Sequence, residues 1–302
     1  MAKVAEFGFF GDRIVKAEEM KLSAMSAAVL YGLSVYTVFP LVVNEKKEVS
    51  AFCLSDHFER LLNSAKIIGI DTFAAEWDLV KFKKAVKELV KANTITEKVF
   101  VRATVHISAE IPGTRSRGLA TTLSLFIYEA SPIVPQTGAR LKTSVWRRVP
   151  DYAIPSRAKV NGAYVNSVLG KQDALDSGYD DCLFLDVNGH VCELSAANIF
   201  LVKNNTLITP DRSTDILEGI NRKVILELAE EMGLKTTERK IDLTELYTAD
   251  EVFACGTSSF VAPVIEIDAR PIGVNGANPV TQKIREQYND LFVTSHYLEK
   301  VL

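Results

Sequence analysis

The sequence predicts a two-domain α+β protein, and three observations predict it. At 302 residues with 47% hydrophobic residues, the chain has enough apolar material for a large core and exceeds the usual size of a single domain. Apolar periods of two and of 3.6 residues succeed one another along the chain, so strands and helices are interleaved. The segment Ala130-Ser131-Pro132-Ile133-Val134-Pro135-Gln136-Thr137-Gly138 breaks both periods and reads as a linker. The expected division is a small N-terminal α+β domain over 1–129, a linker over 130–138 and a larger α/β domain over 139–302.

Taken in order, the elements begin with an uncharged run from Leu22 to Val43. Its length raises the question of a membrane span. Ser23, Ser26, Gly32, Ser34, Thr37 and Pro40 answer it, because scattered hydroxyls and a proline suit a helix leading into a buried strand. Strands are expected at Val35 to Val43 and Val49 to Cys53, then a helix from about Asp56 to Ile68. A second helix, about Glu76 to Ala92, groups Leu79, Phe82, Val86 and Leu89 on one face and Lys81, Lys84, Lys87 and Lys91 on its solvated side. Strands follow at Val99 to Ile107 and Thr121 to Glu129. Beyond the linker come a strand near Leu141 to Trp146, a helix, and a hairpin whose turn is marked by Asn188-Gly189. An amphipathic helix opens at Leu217-Glu218-Gly219-Ile220-Asn221-Arg222, carries Val224, Ile225, Leu228 and Met232, and closes at Gly233. A strand from Glu251 to Ala254 ends in the turn Cys255-Gly256-Thr257-Ser258-Ser259.

Composition narrows the function. A net charge of −3 with no long basic block argues against nucleic acid as a partner. Cys53, Cys182, Cys192 and Cys255 show no CxxC spacing and no clustered histidines, so no metal site is expected and the thiols suit a reducing cytoplasm. Met1 to Phe10 lacks the basic region and apolar core of a signal peptide.

Two motifs carry chemistry. One is Lys159-Val160-Asn161-Gly162-Ala163-Tyr164, with Ser144-Val145-Trp146-Arg147-Arg148 upstream. The other is Glu193-Leu194-Ser195-Ala196-Ala197-Asn198-Ile199-Phe200. Taken singly, each is an ordinary surface charge or aromatic. Jointly, and in this order, they resemble the class IV (fold type IV) pyridoxal-phosphate enzymes, the family of the branched-chain and D-amino acid aminotransferases. The resemblance spans roughly Tyr31 to Val264 and implies a small α+β domain with a larger pseudo-barrel α/β domain.

It also implies roles. Lys159 would be the Schiff-base lysine and the base that moves a proton once released. Glu193 would keep the pyridine nitrogen protonated by a charge-assisted hydrogen bond, and Tyr164 would bond the ring's phenolic oxygen. The phosphate would rest on the backbone of Ile220 and Asn221 at a helix start and on Thr257 and Ser258 of the Gly-Thr-Ser-Ser turn, with Arg60 as the helical arginine of the family. The family often has threonine where this chain has Asn221. Glu218, beside a dianion, would have to point away.

The substrate pocket departs from the branched-chain pattern. In Tyr31-Gly32-Leu33-Ser34-Val35-Tyr36-Thr37-Val38, Thr37 and Val38 stand where a Glu-Gly pair is expected. Strand alternation puts Tyr36, Val38 and Pro40 on one face as an apolar wall. Phe100-Val101-Arg102 resembles the family's Tyr-x-Arg carboxylate binder, with Arg115 and Arg117 as alternatives. The expected substrate-binding set is Tyr31, Tyr36, Val38, Phe100, Arg102 and Ser258. The resemblance implies an aminotransferase passing the amino group of a hydrophobic, branched-chain-like amino acid to a 2-oxo acid such as 2-oxoglutarate. D-amino acid or (R)-amine transamination, or an aminodeoxychorismate lyase, remain alternatives. A homodimer is implied as well, with Tyr31 and the Ile107 to Gly113 loop contributing across its interface.

Overall fold

The computed structural model describes residues 3–273 and 278–302. The chain forms two compact units, one made of residues through Ser131, 158–162 and 291–302, the other of 132–157 and 163–290. This differs from the expected division in two places. The C-terminal residues join the first unit because a strand at Leu298–Lys300 pairs antiparallel with Val49–Phe52. Residues 158–162, which include Lys159, join it through backbone pairing described below.

In the first unit β1 (Lys3–Phe10), β2 (Arg13–Lys16), α1 (Ala27–Tyr31), β3 (Ser34–Val43), β4 (Val49–Phe52), α2 (Leu54–Ile67), α3 (Asp71–Glu76), α4 (Leu79–Ala92), β5 (Val99–Ile107) and β6 (Thr121–Glu129) follow in order. Their sheet has seven strands, running from the C-terminal strand through β4, β3, β5, β6 and β1 to β2. The uncharged Leu22–Val43 run thus becomes a short helix and a strand buried over nearly all its length. Among the described residues no helix is long and apolar enough to cross a membrane. Helices cover one face of β3, where Phe39 meets Phe82 of α4 edge-on at 6.3 Å and Thr37 meets His57 of α2. On α2 the buried positions Leu54, His57, Phe58, Leu61, Ser64 and Ala65 keep the helical i, i+3, i+4, i+7 stripe. The second expected helix is two. Asp78 caps α4, accepting from the Lys81 N–H at 2.7 Å, so α3 stops before Trp77 instead of running on.

Strand β4 pairs with β3 only along Leu41–Val43, which leaves the edge of the N-terminal half of β3 open. The 158–162 segment fills it. Tyr36 N–H donates to the Lys159 carbonyl at 3.0 Å, and Asn161 N–H donates to the Ser34 carbonyl at 2.9 Å. A β-bridge joins Val35 and Val160. Gly32 and Gly162 make the approach possible: Gly32 has φ +67°, and a Cβ there would stand 3.0 Å from the Gly162 Cα.

The second unit holds β7 (Ala139–Thr143), α5 (Tyr164–Asp176), β8 (Asp181–Leu185), β9 (Val191–Leu194), β10 (Asn198–Lys203), β11 (Thr206–Thr209), α6 (Ile220–Glu231), β12 (Lys235–Glu238), α7 (Leu243–Tyr247), β13 (Glu251–Gly256), β14 (Phe260–Ile267) and α8 (Pro279–Asp290). The order β10-β13-β14-β7-β8-β9 returns to β10 through the pair Asn198↔Glu193, closing a six-stranded ring with β11 and β12 outside it. This is the pseudo-barrel. Leu141, Leu183, Leu194, Leu201, Val252 and Val264 belong to its packed apolar core. Strand β7 ends at Thr143 rather than near Trp146, because Ser144 Oγ accepts from the Trp146 N–H at 3.0 Å and turns the chain.

Candidate active site

In the first unit, alternation along two neighbouring strands gathers the candidate substrate residues. Val38 on β3 stands opposite Arg102 on β5, Tyr36 opposite Thr104 and Pro40 opposite Phe100, so Tyr36, Val38, Phe100 and Arg102 share the face away from the helices. The Arg102 guanidinium lies 3.7 Å from the Tyr36 ring centroid, and Lys159 Nζ lies 5.0 Å from the same centroid. Arg102 Nη2 donates to Asn161 Oδ1 at 2.8 Å, and Asn161 Nδ2 donates to Ser34 Oγ at 2.6 Å. The backbone of Lys159 is pinned from α2, since its N–H donates to Ser64 Oγ at 3.0 Å. An amine and a guanidinium are thereby held over one aromatic ring, the amine through its pinned backbone and the guanidinium through Asn161.

The opposite face of β3 carries a second polar group. Thr37 Oγ1 lies 2.7 Å from His57 Nδ1 and accepts from Arg60 Nη2 at 3.1 Å. His57 is wholly buried, and its pKa is driven well below the ordinary imidazole value, first by burial and then by the charges of Arg60 and Lys159. It is neutral at physiological pH.

In the second unit, Glu193 on β9 is almost fully buried and fixed on both oxygens. Oε1 pairs with Arg148 Nη2 at 2.8 Å, while Oε2 accepts from Asn198 Nδ2 and from the Leu217 N–H, each at 3.2 Å. An adjacent guanidinium favours the ionised carboxylate. Asn198 is the residue that closes the ring of strands, so the same pairing builds the barrel and orients the acid.

Helix α6 starts in the same unit at Ile220 and Asn221, with Gly219 as its N-cap. A Cβ on Gly219 would fall 2.1 Å from Asn198 Oδ1, which is why glycine stands there. Asn221 Nδ2 lies 3.5 Å from Thr257 Oγ1, bringing the helix start and the Gly-Thr-Ser-Ser turn together. Ser259 N–H donates to the Gly256 carbonyl at 3.2 Å, so Thr257 and Ser258 are the two central residues of that turn. Helix-start N–H groups, the dipole and a hydroxyl form an anion cradle. Glu218 is drawn off by Arg212 at 3.2 Å and Arg157 at 3.8 Å.

Comparison with known proteins identifies the family. A family model described as amino-transferase class IV matches residues 35–267. The probable branched-chain-amino-acid aminotransferase of Aquifex aeolicus is 37% identical over 286 residues, covering 94% of this chain and 91% of that protein. The crystal structure of a branched-chain aminotransferase from Thermoproteus uzoniensis with norvaline matches with a TM-score of 0.92 at 33% identity, over 99% of this chain and 100% of that one. That of the branched-chain enzyme from Thermobaculum terrenum in its PLP-form matches with a TM-score of 0.90 at 27% identity, over 99% of each chain. The chain belongs to the class IV aminotransferase family.

As a class IV aminotransferase the chain is an enzyme, and its expected site residues distribute as follows. Lys159, Arg60, Tyr36, Val38, Phe100 and Arg102 lie in the first unit. Glu193, Tyr164, Ile220, Asn221, Thr257 and Ser258 lie in the second, with Tyr164 as the first residue of α5. Tyr31 ends α1 with nearly half its surface exposed, and Arg115 and Arg117 are exposed on the loop after β5, whereas Arg102 sits over Tyr36. Four supporting residues had no role in the sequence reading: Ser64, His57, Asn161 and Arg148. Arg148 and Asn161 lie within the Ser144–Arg148 run and the Lys159–Tyr164 motif, and that position is their signal in the sequence. Ser64 and His57 lie on the buried stripe of α2, a polar signal within an apolar pattern. Among the described residues no group of histidines, cysteines and carboxylates could hold a metal ion.

Proposed function

We propose that this enzyme transfers the amino group of a hydrophobic, branched-chain-like L-amino acid to a 2-oxo acid such as 2-oxoglutarate, with pyridoxal phosphate as cofactor. The observation that carries this reading is the placement of Lys159 Nζ and the Arg102 guanidinium over the single Tyr36 ring. An amine that can bond a carbonyl carbon and a cation that can take a carboxylate stand on an apolar wall made by Val38 and Phe100. That is what an amino acid with an apolar side chain requires.

The residues fit the cofactor. Glu193, paired with Arg148, suits a protonated pyridine nitrogen, and the α6 start with Thr257 and Ser258 suits a phosphate dianion. Arg60 completes the phosphate set, and Tyr164 is assigned the ring hydroxyl. When bound, the cofactor supplies an electron sink for the bond broken at the donor's α-carbon. Lys159 Nζ would hold the cofactor and, as a free amine, would be the base that carries the α-proton. Arg102 orients the donor by its carboxylate. Donor and acceptor use the site in turn, which gives ping-pong kinetics.

A second reading rests on Thr37 and Val38. They replace the Glu-Gly pair of the branched-chain pattern, and Val38 is the cross-strand neighbour of Arg102. That narrows the space beside the carboxylate binder and favours (R)-amines or D-amino acids as further donors. A half-reaction screen of L-amino acids, D-amino acids and (R)-amines, followed through the cofactor spectrum, separates the two. L-leucine, L-isoleucine and L-valine are expected to react fastest. Pyruvate release from aminodeoxychorismate without an acceptor would instead make the enzyme a lyase.

The enzyme is assigned to the cytoplasm and to a homodimer. Support for the dimer comes from Met25, Val29, Leu30, Tyr31 and Ile111, all large apolar residues exposed on the first unit, with the Ile111 N–H bonded to the Met25 carbonyl.

A further inference from the structure

A polar group on the helix face of β3 joins Arg60, assigned above to the phosphate, to two residues that the chemistry described so far leaves unused. Its members are Thr37, His57 and Arg60, with Phe39 tilted against His57 at 5.7 Å between ring centroids. Arginine has donors only, so Thr37 Oγ1 must accept from Arg60. The imidazole then has two ways to meet Thr37. If Nδ1 carries the proton it donates to Oγ1, and both the Thr37 hydroxyl hydrogen and the Nε2 lone pair go unmet. If Nε2 carries the proton, the Thr37 hydroxyl donates to Nδ1, and only Nε2 goes unmet. Nε2 is indeed buried without a partner among the described residues. An unmet buried polar group is costly, and the second arrangement leaves one where the first leaves two, so the second prevails.

We infer that Thr37 is a positioning residue for Arg60: its hydroxyl, polarised by the Nδ1 lone pair of a neutral His57, holds the guanidinium in the orientation that receives the cofactor phosphate. The donors run in one direction, from guanidinium to hydroxyl to imidazole nitrogen, and hydrogen bonds in such a chain strengthen one another. His57 accepts without adding charge, so Arg60 keeps its full attraction for an anion. A glutamate at position 37, as in the branched-chain pattern, would neutralise that guanidinium directly. Threonine orients it and leaves the charge available. The same helix face places Ser64 under the Lys159 backbone, so α2 sets both Arg60 and Lys159 relative to β3.

This inference rests on the assignment of Arg60 to the phosphate, and the test separates the two. Apoenzyme is titrated with pyridoxal phosphate and with pyridoxal, and the ratio of the two affinities reports the phosphate contribution alone. Thr37→Val keeps the β-branched shape and removes the hydroxyl. It is expected to lower the ratio about tenfold, with Thr37→Ser restoring it to within about twofold of the parent. His57→Phe, which keeps an aromatic ring against Phe39 and removes the acceptor, is expected to lower the ratio about threefold, and it carries the test if Thr37→Val does not fold. Arg60→Ala should lower the ratio more than either. If Arg60→Ala lowers it while Thr37→Val or His57→Phe leaves it unchanged, the positioning role is overturned and the phosphate assignment stands. If Arg60→Ala leaves it unchanged, the phosphate assignment itself fails.

Discussion

Arg148 Nη2 stands 2.8 Å from Glu193 Oε1, with 13% and 6% of the two side chains exposed. At that burial the pair is an all-or-none device. Each charge is tolerable only because the other is present, and the rest of the Glu193 carboxylate is held by Asn198 and the Leu217 N–H. Removing one partner strands the other. Arg148→Met should destabilise the protein by about 3–5 kcal/mol. Glu193→Gln leaves the Arg148 charge without its partner, so it should lose stability on the same scale, and the folded fraction should turn over roughly 100-fold or more slowly, on the scale of losing a preorganised electrostatic group. Denaturant midpoints and steady-state rates of both variants check this. A stable Arg148→Met protein of normal activity would refute the coupling.

Arg102 offers a sharper discrimination. Arg102→Ala should reduce kcat/KM for amino acids by roughly 30-fold or more, the cost of an unpaired buried carboxylate. Cofactor affinity and the turnover of amines without a carboxylate should change little. Equal losses with both classes of donor would show that Arg102 supports the Tyr36 wall rather than the substrate. Unchanged amino-acid kinetics would move the carboxylate binder to Arg115 or Arg117.

Two glycines predict opposite outcomes for one added methyl. A Cβ at Gly219 would meet Asn198 Oδ1 at 2.1 Å, against the group that orients Glu193 and the start of α6. Gly219→Ala should therefore cost about 1–3 kcal/mol through overpacking and weaken pyridoxal phosphate binding. At Gly256 the nearest atom would be 3.4 Å away, an ordinary contact. Gly256→Ala should bind the cofactor within about twofold of the parent, a difference well under 1 kcal/mol. Thermal melts and cofactor titrations of the two variants decide it. Equal behaviour would mean that Asn198 moves freely.

Acid should weaken the first unit through its histidines. His106 on β5 lies 2.9 Å from Ser124 Oγ, and burial, then the charge of Arg102, takes its pKa from 6.5 to about 4. Below 6.5 the unfolded chain binds a proton that the folded chain refuses. Stability therefore falls as the pH is lowered from about 6.5 towards 4, by up to about 1.4 kcal/mol per pH unit. His57 acts with the same sign. Unfolding at pH 7 and pH 5 should show a smaller acid loss in His106→Gln than in the parent, and identical losses would remove His106 from the account.

Much of the fold was legible because local patterns and tertiary structure agree. The uncharged run into β3, the apolar stripe of α4 and the Asn-Gly hairpin each state their element within a few residues. What escaped the sequence depends on distant pairing. Nothing local says that residues 158–162 fill the edge that β4 leaves open, so Lys159 was expected in the larger domain. The same holds for the C-terminal strand, three residues long with Glu299 and Lys300 in it. The candidate site was legible where a motif names the reacting groups, as at Lys159 and Glu193. It was opaque where support comes from another element: Ser64 under Lys159, Asn161 under Arg102, Thr37 and His57 beside Arg60. Hydrogen bonds between residues 20 to 127 positions apart leave no periodic trace.

The most direct measurement is borohydride reduction of the purified holoenzyme followed by peptide mapping. The protein should be yellow, and a single pyridoxyl group should be found fixed on Lys159. An adduct on a different lysine, or none on a protein that transaminates, would contradict the Lys159 assignment.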